Sequence, residues 1–425
     1  MSSTRPPAVR IDDLADPQFA PAIAELLQQM EPVAAALRFE PDALCAQAAS
    51  ETGESSFGDD DFRERLDVLL RSLDTDTVLS PMGRVSAHSQ LVGHLRNRLR
   101  IEALVAAHPE ILDVEIRRPI VIVGQPRTGT THLHNLMAAD PALRSLPYWE
   151  SLEPVLPAAE QAAVASGEPD PRLARTQVGL SFLDEAAPYF KRMHEMTVDH
   201  VHEEIQLLAI DFSTMLFETI AVLPTWRDAY LARDQTSSYR YLKKVLQVLQ
   251  WQRGGERWVL KSPQHLEQFG PLLDVFPDAT FVVTHRDPVS VIASNATMLA
   301  YMARLNQPSP DPRQIGHYWS DRIQQMLEAG MRDRDLLPAD RSLDVRFDEF
   351  MADDLATVER IYAVADQPFT PGVRAAMEAF VRDHPRGRHG GVIYDLEGDF
   401  DLDPATLRAG MRDYVQRFGV VEERR

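Results

Sequence analysis

The chain has 425 residues, 44% of them hydrophobic and 25% charged, which is ordinary for a folded globular protein. A net charge of −20 disfavours nucleic acid, heparin-like polymers and anionic membranes as partners. The single cysteine, Cys45, allows no disulfide framework and is interpreted as a core residue. The sequence shows neither a secretory signal nor an apolar run of 18 residues. We therefore expect a cytoplasmic protein without a transmembrane segment.

The first part of the chain, residues 1–115, has the spacing of amphipathic helices, as in IAELLQQMEPVAAALRF and DFRERLDVLLRSL. The segment PIVIVG, residues 119–124, is a run of β-branched residues without alternation, typical of a strand covered on both faces. Residues 188–224 predict long helices, and the strongly apolar part at 205–223 is expected to line the interior.

Three further strands are predicted at 257–263, 279–288 and 342–350, with helical stretches between them. A long glycine-rich loop at 382–404 precedes the last predicted helix. Strands alternating with helices predict an α/β fold, a P-loop-type parallel sheet flanked by helices with a helical N-terminal extension. We expect a helical region, 1–115, packed on a core domain, 116–425. Ligands of such folds bind at the carboxyl ends of the strands.

The loop after the first strand, GQPRTGTT, has the glycine spacing of a phosphate-binding loop, with Thr131 at its Ser/Thr position and Thr130 in place of the usual lysine. Backbone amides at the start of the following helix can still bind an anion. Arg127, inside the loop, suits an oxyanion lying across it. The alternative is a plain turn whose glycines serve only its geometry.

A second anion site is predicted after the third strand, in VVTHRDPVSVIASN. Arg286 ends the strand, Pro288 starts a helix, and Ser294 follows two turns later. A guanidinium and a hydroxyl placed in this way can close on one phosphate. The alternative is a surface pair between Arg286 and Asp287. Taken with the first loop, this motif predicts a ligand with two separated anionic groups.

Four motifs, QPRTGTTHLH, WVLKSPQHL, THRDPVSVIAS and RGRHGGVIYDLEGDFDL, follow one another over about residues 119–402. In this order they resemble the sulfotransferases that use 3′-phosphoadenosine 5′-phosphosulfate (PAPS), and most closely a bacterial subgroup with PRTGTT, LKSP and HRDP signatures. The resemblance implies in-line transfer of a sulfonyl group from PAPS to a hydroxyl or amine, without a metal. The donor-binding residues it implies are Arg127, Thr128, Gly129, Thr130, Thr131, Arg286, Ser294, Arg388, His389 and Gly390, with Arg386 and Gly391 beside them.

The resemblance also implies catalytic roles. Arg127 and Lys261 are expected to stabilise charge on the leaving oxygen, although many members have a lysine at the position of Arg127, and an arginine is a poor proton donor. The base is predicted to be His265, two residues away from the family's histidine. The rival is Glu203, because some related sulfotransferases use a glutamate.

Glu203 lies in the cluster DHVHEEIQLL, residues 199–208, which also contains His200, His202 and Glu204. The same residues suit a metal site superficially, or simply the acidic first turn of a helix. His134, one turn past Thr130, is expected either to touch the acceptor or to pack its helix.

The competing hypothesis is a P-loop kinase or NTPase acting on a small molecule, and the missing loop lysine argues against it. The acidic surface and the apolar segment 205–223 favour a small apolar acceptor, such as a lipid-like, aromatic or polyketide-type alcohol. The sequence leaves the acceptor's identity and the oligomeric state open.

Overall fold

A computed structural model describes residues 6–423 of the chain and contains a four-stranded, all-parallel sheet. Its strands are β1 (Ile120–Gly124), β2 (Val259–Ser262), β3 (Thr280–His285) and β4 (Ser342–Arg346), in the spatial order β2-β1-β3-β4. All four predicted strands are present, each shorter than predicted. The chain reverses its direction of winding at β1, which places the loop after β1 at the switch point where such sheets bind ligands.

Helices form most of the rest of the described chain. Before the sheet come α1 (Pro21–Gln29), α2 (Glu31–Ala36), α3 (Pro41–Thr52), α4 (Phe62–Thr75) and α5 (Pro81–Ala107). Between β1 and β2 come α6 (Thr130–Ala138), α7 (Tyr148–Leu152), α8 (Ala158–Ala165), α9 (Pro171–Ala186), α10 (Phe190–Met193), α11 (Ile205–Leu208), α12 (Pro224–Leu231) and α13 (Thr236–Arg253). Then α14 (Phe269–Val275) precedes β3, and α15 (Pro288–Asn306) and α16 (Pro312–Asp333) precede β4. After β4 come α17 (Phe347–Ala352), α18 (Asp354–Ala365), α19 (Pro371–Asp383), α20 (Leu396–Phe400), α21 (Pro404–Gly410) and α22 (Arg412–Phe418).

The sheet is covered on both faces, which explains why its strands are continuously apolar. Alternate residues point to opposite sides. Toward one core, shared with α13, α15 and α16, lie Val121, Val123, Leu260, Phe281 and Val283. Toward the other, shared with α6, α18 and α19, lie Ile120, Ile122, Val259, Val282 and Val345.

The N-terminal region is helical, as predicted, but its apolar residues do not form a core by themselves. A single cluster joins buried residues between Leu44 and Leu99 to buried residues between Ala209 and Tyr230. The N-terminal helices are therefore completed by a segment from the middle of the chain. A division into two units at residue 115 stays a prediction.

The long helices predicted over 188–224 do not form. This stretch contains the short helices α10 and α11 and two 3₁₀ turns, Ala209–Asp211 and Met215–Thr219. Phe212 follows the first turn with a left-handed φ of 51°, which ends the helical path. The predicted loop 382–404 likewise contains a short helix, α20. No helix within residues 6–423 is long and apolar enough to cross a membrane.

Candidate active site

The loop between β1 and α6, residues 124–131, is fastened to the carboxyl edge of the sheet by close contacts with β3. A Cβ on Gly124 would lie 1.9 Å from Thr284 Oγ1, so only glycine allows β1 to end this close to β3. The Thr128 hydroxyl donates to the Gln125 carbonyl at 2.7 Å and pairs with the Thr284 hydroxyl at 2.9 Å. Thr128, predicted to bind the donor, thus has its buried side chain hydrogen-bonded to the loop and to β3.

Two loop residues have left-handed backbones, Arg127 with φ 68° and Gly129 with φ 82°. This conformation is uncommon outside glycine, and at functional sites it is held by its surroundings. Gly129 precedes α6 and supplies no side-chain cap. The first amides of α6, at Thr130 and Thr131, therefore have no side-chain cap, and their binding of an anion stays a prediction.

Arg127 connects the loop to two other segments. Its Nε donates to Ser294 Oγ at 2.8 Å, and its Nη1 donates to the carbonyl of Met193. Ser294 in turn donates to the hydroxyl of Tyr394 at 3.1 Å. The predicted phosphosulfate residue Arg127 and the predicted 3′-phosphate residue Ser294 are therefore in direct contact.

Arg286, the other predicted phosphate ligand, packs against the same loop. Its Nη1 donates to the carbonyl of Arg127 at 2.6 Å, and its guanidinium lies 4.0 Å from the centre of the Phe347 ring. Its Nε and Nη2 donate hydrogen bonds to the two carboxylate oxygens of Glu423, at 2.6 and 2.8 Å. This carboxylate occupies the position in which the sequence predicts a phosphate.

Lys261 is buried at the end of β2, 2% exposed, and two consecutive glutamates hold it. Its ammonium pairs with Glu203, and its backbone N–H donates to Glu204 Oε2 at 2.8 Å. Burial raises the pKa of Glu204, but the charge and hydrogen bond of His265 outweigh this, so that the pKa lies below its ordinary value. The arrangement fixes both the main chain and the side chain of Lys261.

His265, predicted to be the base, is sealed from solvent with an exposed fraction of 0%. Its Nε2 is paired with Glu204, and its Nδ1 is paired with the Tyr239 hydroxyl at 2.7 Å. Both ring nitrogens are thus engaged, and a base must reach the proton that it removes. The structure gives His265 a place in the core rather than at a ligand, and its role as base stays a prediction that this position argues against.

A cavity of about 600 Å³ opens beside the 124–131 loop. Its walls come from α6, from residues 191–201, and from α19 with the loop that follows it. Of the predicted donor-binding residues, six line it: Arg127, Thr131, Arg386, Arg388, His389 and Gly390. The lining also has the cations Lys191 and Arg192, and the carboxylates Glu195 and Asp199. An acidic chain therefore presents a locally cationic cavity, suited to an anionic ligand.

The 384–391 loop forms one wall of this cavity. Arg388 pairs with Glu195, and His389 Nε2 lies 2.9 Å from the same carboxylate. Gly390 has φ 86°, and a Cβ there would lie 3.0 Å from the Pro6 carbonyl. The chain then pairs Val392 with Val9 in a parallel bridge. The loop is thus fastened to residues 6–9 on one side and to Glu195 on the other.

Four histidines cluster near Lys261. Burial, with the charge of Lys261, lowers the pKa of His134 to about 3 and that of His200 to about 4. Burial also lowers the pKa of His194 and of His202 well below the ordinary value. His194 and His200 line the cavity, whereas His134 is buried and bonds the Val259 carbonyl at 3.1 Å, which is the packing role. All four imidazoles are neutral at neutral pH.

The structure thus adds residues that the sequence interpretation missed. His194 and Glu195 lie on the cavity, and Glu423 lies on Arg286. Three histidines within residues 194–202 were a usable signal for the cavity wall. No local pattern marks Glu423, because its partner is 137 positions away.

Comparison with known proteins decides the family. The sequence profile of the sulfotransferase family matches residues 119–371, which contain β1 to β4, the 124–131 loop, Lys261 and Arg286. The chain belongs to the sulfotransferase family. The predicted membership of the sulfotransferase family is thereby confirmed.

Solved mycobacterial sulfotransferases share the whole fold with this family member. Sulfotransferase STF9 from Mycobacterium avium is 28% identical, with a TM-score of 0.80 over 90% of this chain and 98% of that one. STF1 from Mycobacterium tuberculosis H37Rv is also 28% identical, with a TM-score of 0.76 over 88% and 98%. These likenesses confirm the α/β fold.

Among curated proteins, the omega-hydroxy-beta-dihydromenaquinone-9 sulfotransferase Stf3 of Mycobacterium bovis is 25% identical over 263 residues. Its counterpart in Mycobacterium tuberculosis matches equally. The match spans 57% of this sulfotransferase-family chain and 61% of those relatives. Within residues 6–423, no group of three or more histidine, cysteine, aspartate or glutamate side chains is arranged to hold a metal ion.

Proposed function

We propose that this chain transfers a sulfonyl group from PAPS to a hydroxyl, or an amine, of a small apolar acceptor. The observation that carries the proposal is the meeting of Arg127, Ser294 and Arg286 at one edge of the sheet in a member of the sulfotransferase family. Two guanidiniums and the uncapped start of α6 suit a donor that carries several anionic groups.

PAPS, when bound, supplies an activated sulfonyl group on a phosphate leaving group. The amides of Thr130 and Thr131, with Arg127, would hold its phosphosulfate, and Arg286 would hold its 3′-phosphate. Arg388, His389 and Gly390, on the 384–391 loop, would cover it. Lys261 is the second cation proposed to stabilise charge on the leaving oxygen, and Glu203 is its charge partner.

The proposal of an apolar acceptor is supported by apolar residues that line the cavity. The segment 205–223, from which the sequence predicts an apolar acceptor, does not support it. That segment packs into the two cores, through Ile205, Leu207, Leu208 and Ile210 on one side and Phe212 and Phe217 on the other. The cavity has its own apolar wall of Ala138, Ala139, Met193, Val201 and Phe380. Stf3 is named for a hydroxylated dihydromenaquinone, which fits an apolar alcohol as the acceptor here.

Ligand binding tests the donor. Adenosine 3′,5′-bisphosphate should raise the melting temperature substantially in the absence of magnesium, whereas ATP and NADH should not. The same outcome separates this proposal from the P-loop kinase hypothesis, which requires ATP with magnesium to stabilise the chain. Stabilisation by ATP alone would contradict the proposed donor.

A further inference from the structure

Sulfonyl transfer to an alcohol requires a group that takes the hydroxyl proton, and neither predicted base reaches the cavity wall. His265 is sealed in the core, and Glu203 is committed to the buried ammonium of Lys261. Releasing Glu203 would leave a buried charge unpaired, which is costly. The proton acceptor is therefore to be sought among the titratable side chains that line the cavity.

Most of these side chains are already engaged. Glu195 pairs with both Arg388 and His389, so that two candidate bases, Glu195 and His389, are already engaged. His132 Nε2 is held by Asp354 at 2.9 Å. His384, at the outer rim, bonds the Phe380 carbonyl at 3.0 Å, and Asp199 is exposed to solvent.

His194 differs from these residues. Among the described residues, its ring nitrogens make no hydrogen bond, and the centre of its ring lies 5.9 Å from that of Phe190 and, edge-on, 5.5 Å from that of His200. Its ring nitrogens are not among the sealed, unpartnered polar atoms, whereas Nδ1 of His202 is. The His194 imidazole therefore lies on the cavity with nitrogens that a ligand can reach.

The main chain fixes where this imidazole sits. The carbonyl of Met193, the preceding residue, accepts the hydrogen bond from Arg127 Nη1. His194 is thus tied by its neighbour to the arginine that would hold the donor. The backbone N–H of His194 donates to the Phe190 carbonyl at 2.8 Å, which closes α10 and fixes the main chain at His194.

We propose that His194 is the catalytic base of this sulfotransferase, an inference that rests on the function proposed above. As the acceptor oxygen forms its bond to sulfur, the acceptor's O–H bond breaks and the proton passes to a ring nitrogen of His194. The bond between sulfur and the bridging oxygen breaks at the same time. Its electron pair stays on the phosphate, which leaves as adenosine 3′,5′-bisphosphate.

Burial and the neighbouring charges keep the His194 imidazole unprotonated, the form that can accept a proton. Burial first, then His200 on its own segment, Lys261 on β2 and Arg127 on the 124–131 loop lower the pKa of His194. The ring is therefore unprotonated in the free protein. An anionic donor at Arg127 opposes the charge of that arginine, so donor binding raises the basicity of His194 when it is needed.

The test uses labelled PAPS as the donor and compares two acceptors. The acceptor 1-dodecanol must lose a proton during the reaction, whereas p-nitrophenol is already ionised at mildly alkaline pH. His194→Asn should lower kcat for 1-dodecanol about 100-fold or more. Its kcat for p-nitrophenol should stay within a few-fold of the wild-type value, and added imidazole should restore part of the activity with the alcohol. The control is His317→Asn, on the exposed side of α16, which should change neither rate.

The outcomes separate the two proposals. Equal losses with both acceptors, or no loss with either, would overturn His194 as the base while leaving the sulfotransferase intact. Wild-type protein that consumes PAPS with neither acceptor would overturn the proposed function, and His194 with it. Titration with adenosine 3′,5′-bisphosphate shows that the variant is folded, since its affinity should match the wild type within about twofold.

Discussion

At the scale of single residues, the site is a set of contacts between motifs that are far apart in the chain. Arg127 touches Ser294 through its side chain and Arg286 through its carbonyl. The sequence predicted that these three residues lie at anion sites along one edge of the sheet, because arginine is suited to oxyanions and the loops after parallel strands meet at one edge; their proximity is observed, and their binding of anions stays a prediction. It could not show that a carboxylate would share Arg286, because that contact depends on how the chain after α22 returns to the sheet.

The Arg286–Glu423 pair leads to a prediction about affinity. On the proposed function, a phosphate would have to displace the Glu423 carboxylate before Arg286 could bind it, so Glu423→Gln should tighten binding of adenosine 3′,5′-bisphosphate by up to about tenfold. Isothermal titration calorimetry measures the change. The matched control is Glu422→Gln, which makes the same charge change at a side chain that faces Arg408 at 3.7 Å.

The arginine provides the complementary arm of this experiment. Arg286→Ala should weaken binding of the same nucleotide about tenfold or more, because a charged hydrogen-bonding partner is lost. In the Arg286→Ala background, Glu423→Gln should have no further effect. An unchanged affinity in Arg286→Ala would show that the phosphate binds elsewhere.

At the scale of elements, the strands and the N-terminal helices were predictable from the sequence, whereas the structure of residues 188–224 was not. β1 and β3 are β-branched runs that end at distinctive turns, so local sequence decides them. The segment 188–224 reads as helical because it is apolar, yet tertiary contacts break it up. Asp211 is drawn to two buried arginines, Arg65 and Arg98, at 2.7 Å each. No pattern within the segment reveals partners on α4 and α5.

The buried ion pairs of Asp211 lead to a prediction about stability. Asp211→Asn would remove the counter-ion of buried Arg98 and leave buried Arg65 only its exposed partner Asp61, so it should lower the free energy of unfolding by about 3 kcal/mol. The matched control is Asp61→Asn, because Asp61 pairs with the same Arg65 at 2.9 Å from an exposed position. It should cost less than about 1 kcal/mol. Urea denaturation of both variants checks the difference, and equal losses would contradict it.

At the scale of the whole molecule, buried neutral histidines make the fold sensitive to acid. Burial lowers the pKa of His94 to about 4, and its ring packs edge-on against Phe212 and Phe217. In the unfolded chain the pKa of a histidine is about 6.5. The unfolded state therefore binds more protons between these values. Stability contributed by His94 is complete above about pH 6.5 and is lost as the pH falls toward 4.

His94→Leu removes this titration, so the slope of unfolding free energy against pH between about 6.5 and 4 should decrease by up to about 1.4 kcal/mol per pH unit. Denaturant unfolding at several pH values measures it. Phe217→Leu is the control, since it disturbs the same packing without removing a titratable group and should lower stability equally at every pH. An unchanged slope in His94→Leu would assign the acid sensitivity to other groups.

The bridge between Val9 and Val392 joins the two ends of the described chain, so it can form only late in synthesis. A ribosome releases residues near 9 long before those near 392, so the early segment must wait for its partner while the sheet, α13 and α15 are completed. The wall formed by the 384–391 loop, and the tail that reaches Arg286, are added last. A nascent chain of about 350 residues would already contain the 124–131 loop but not yet the 384–391 loop that forms one wall of the cavity.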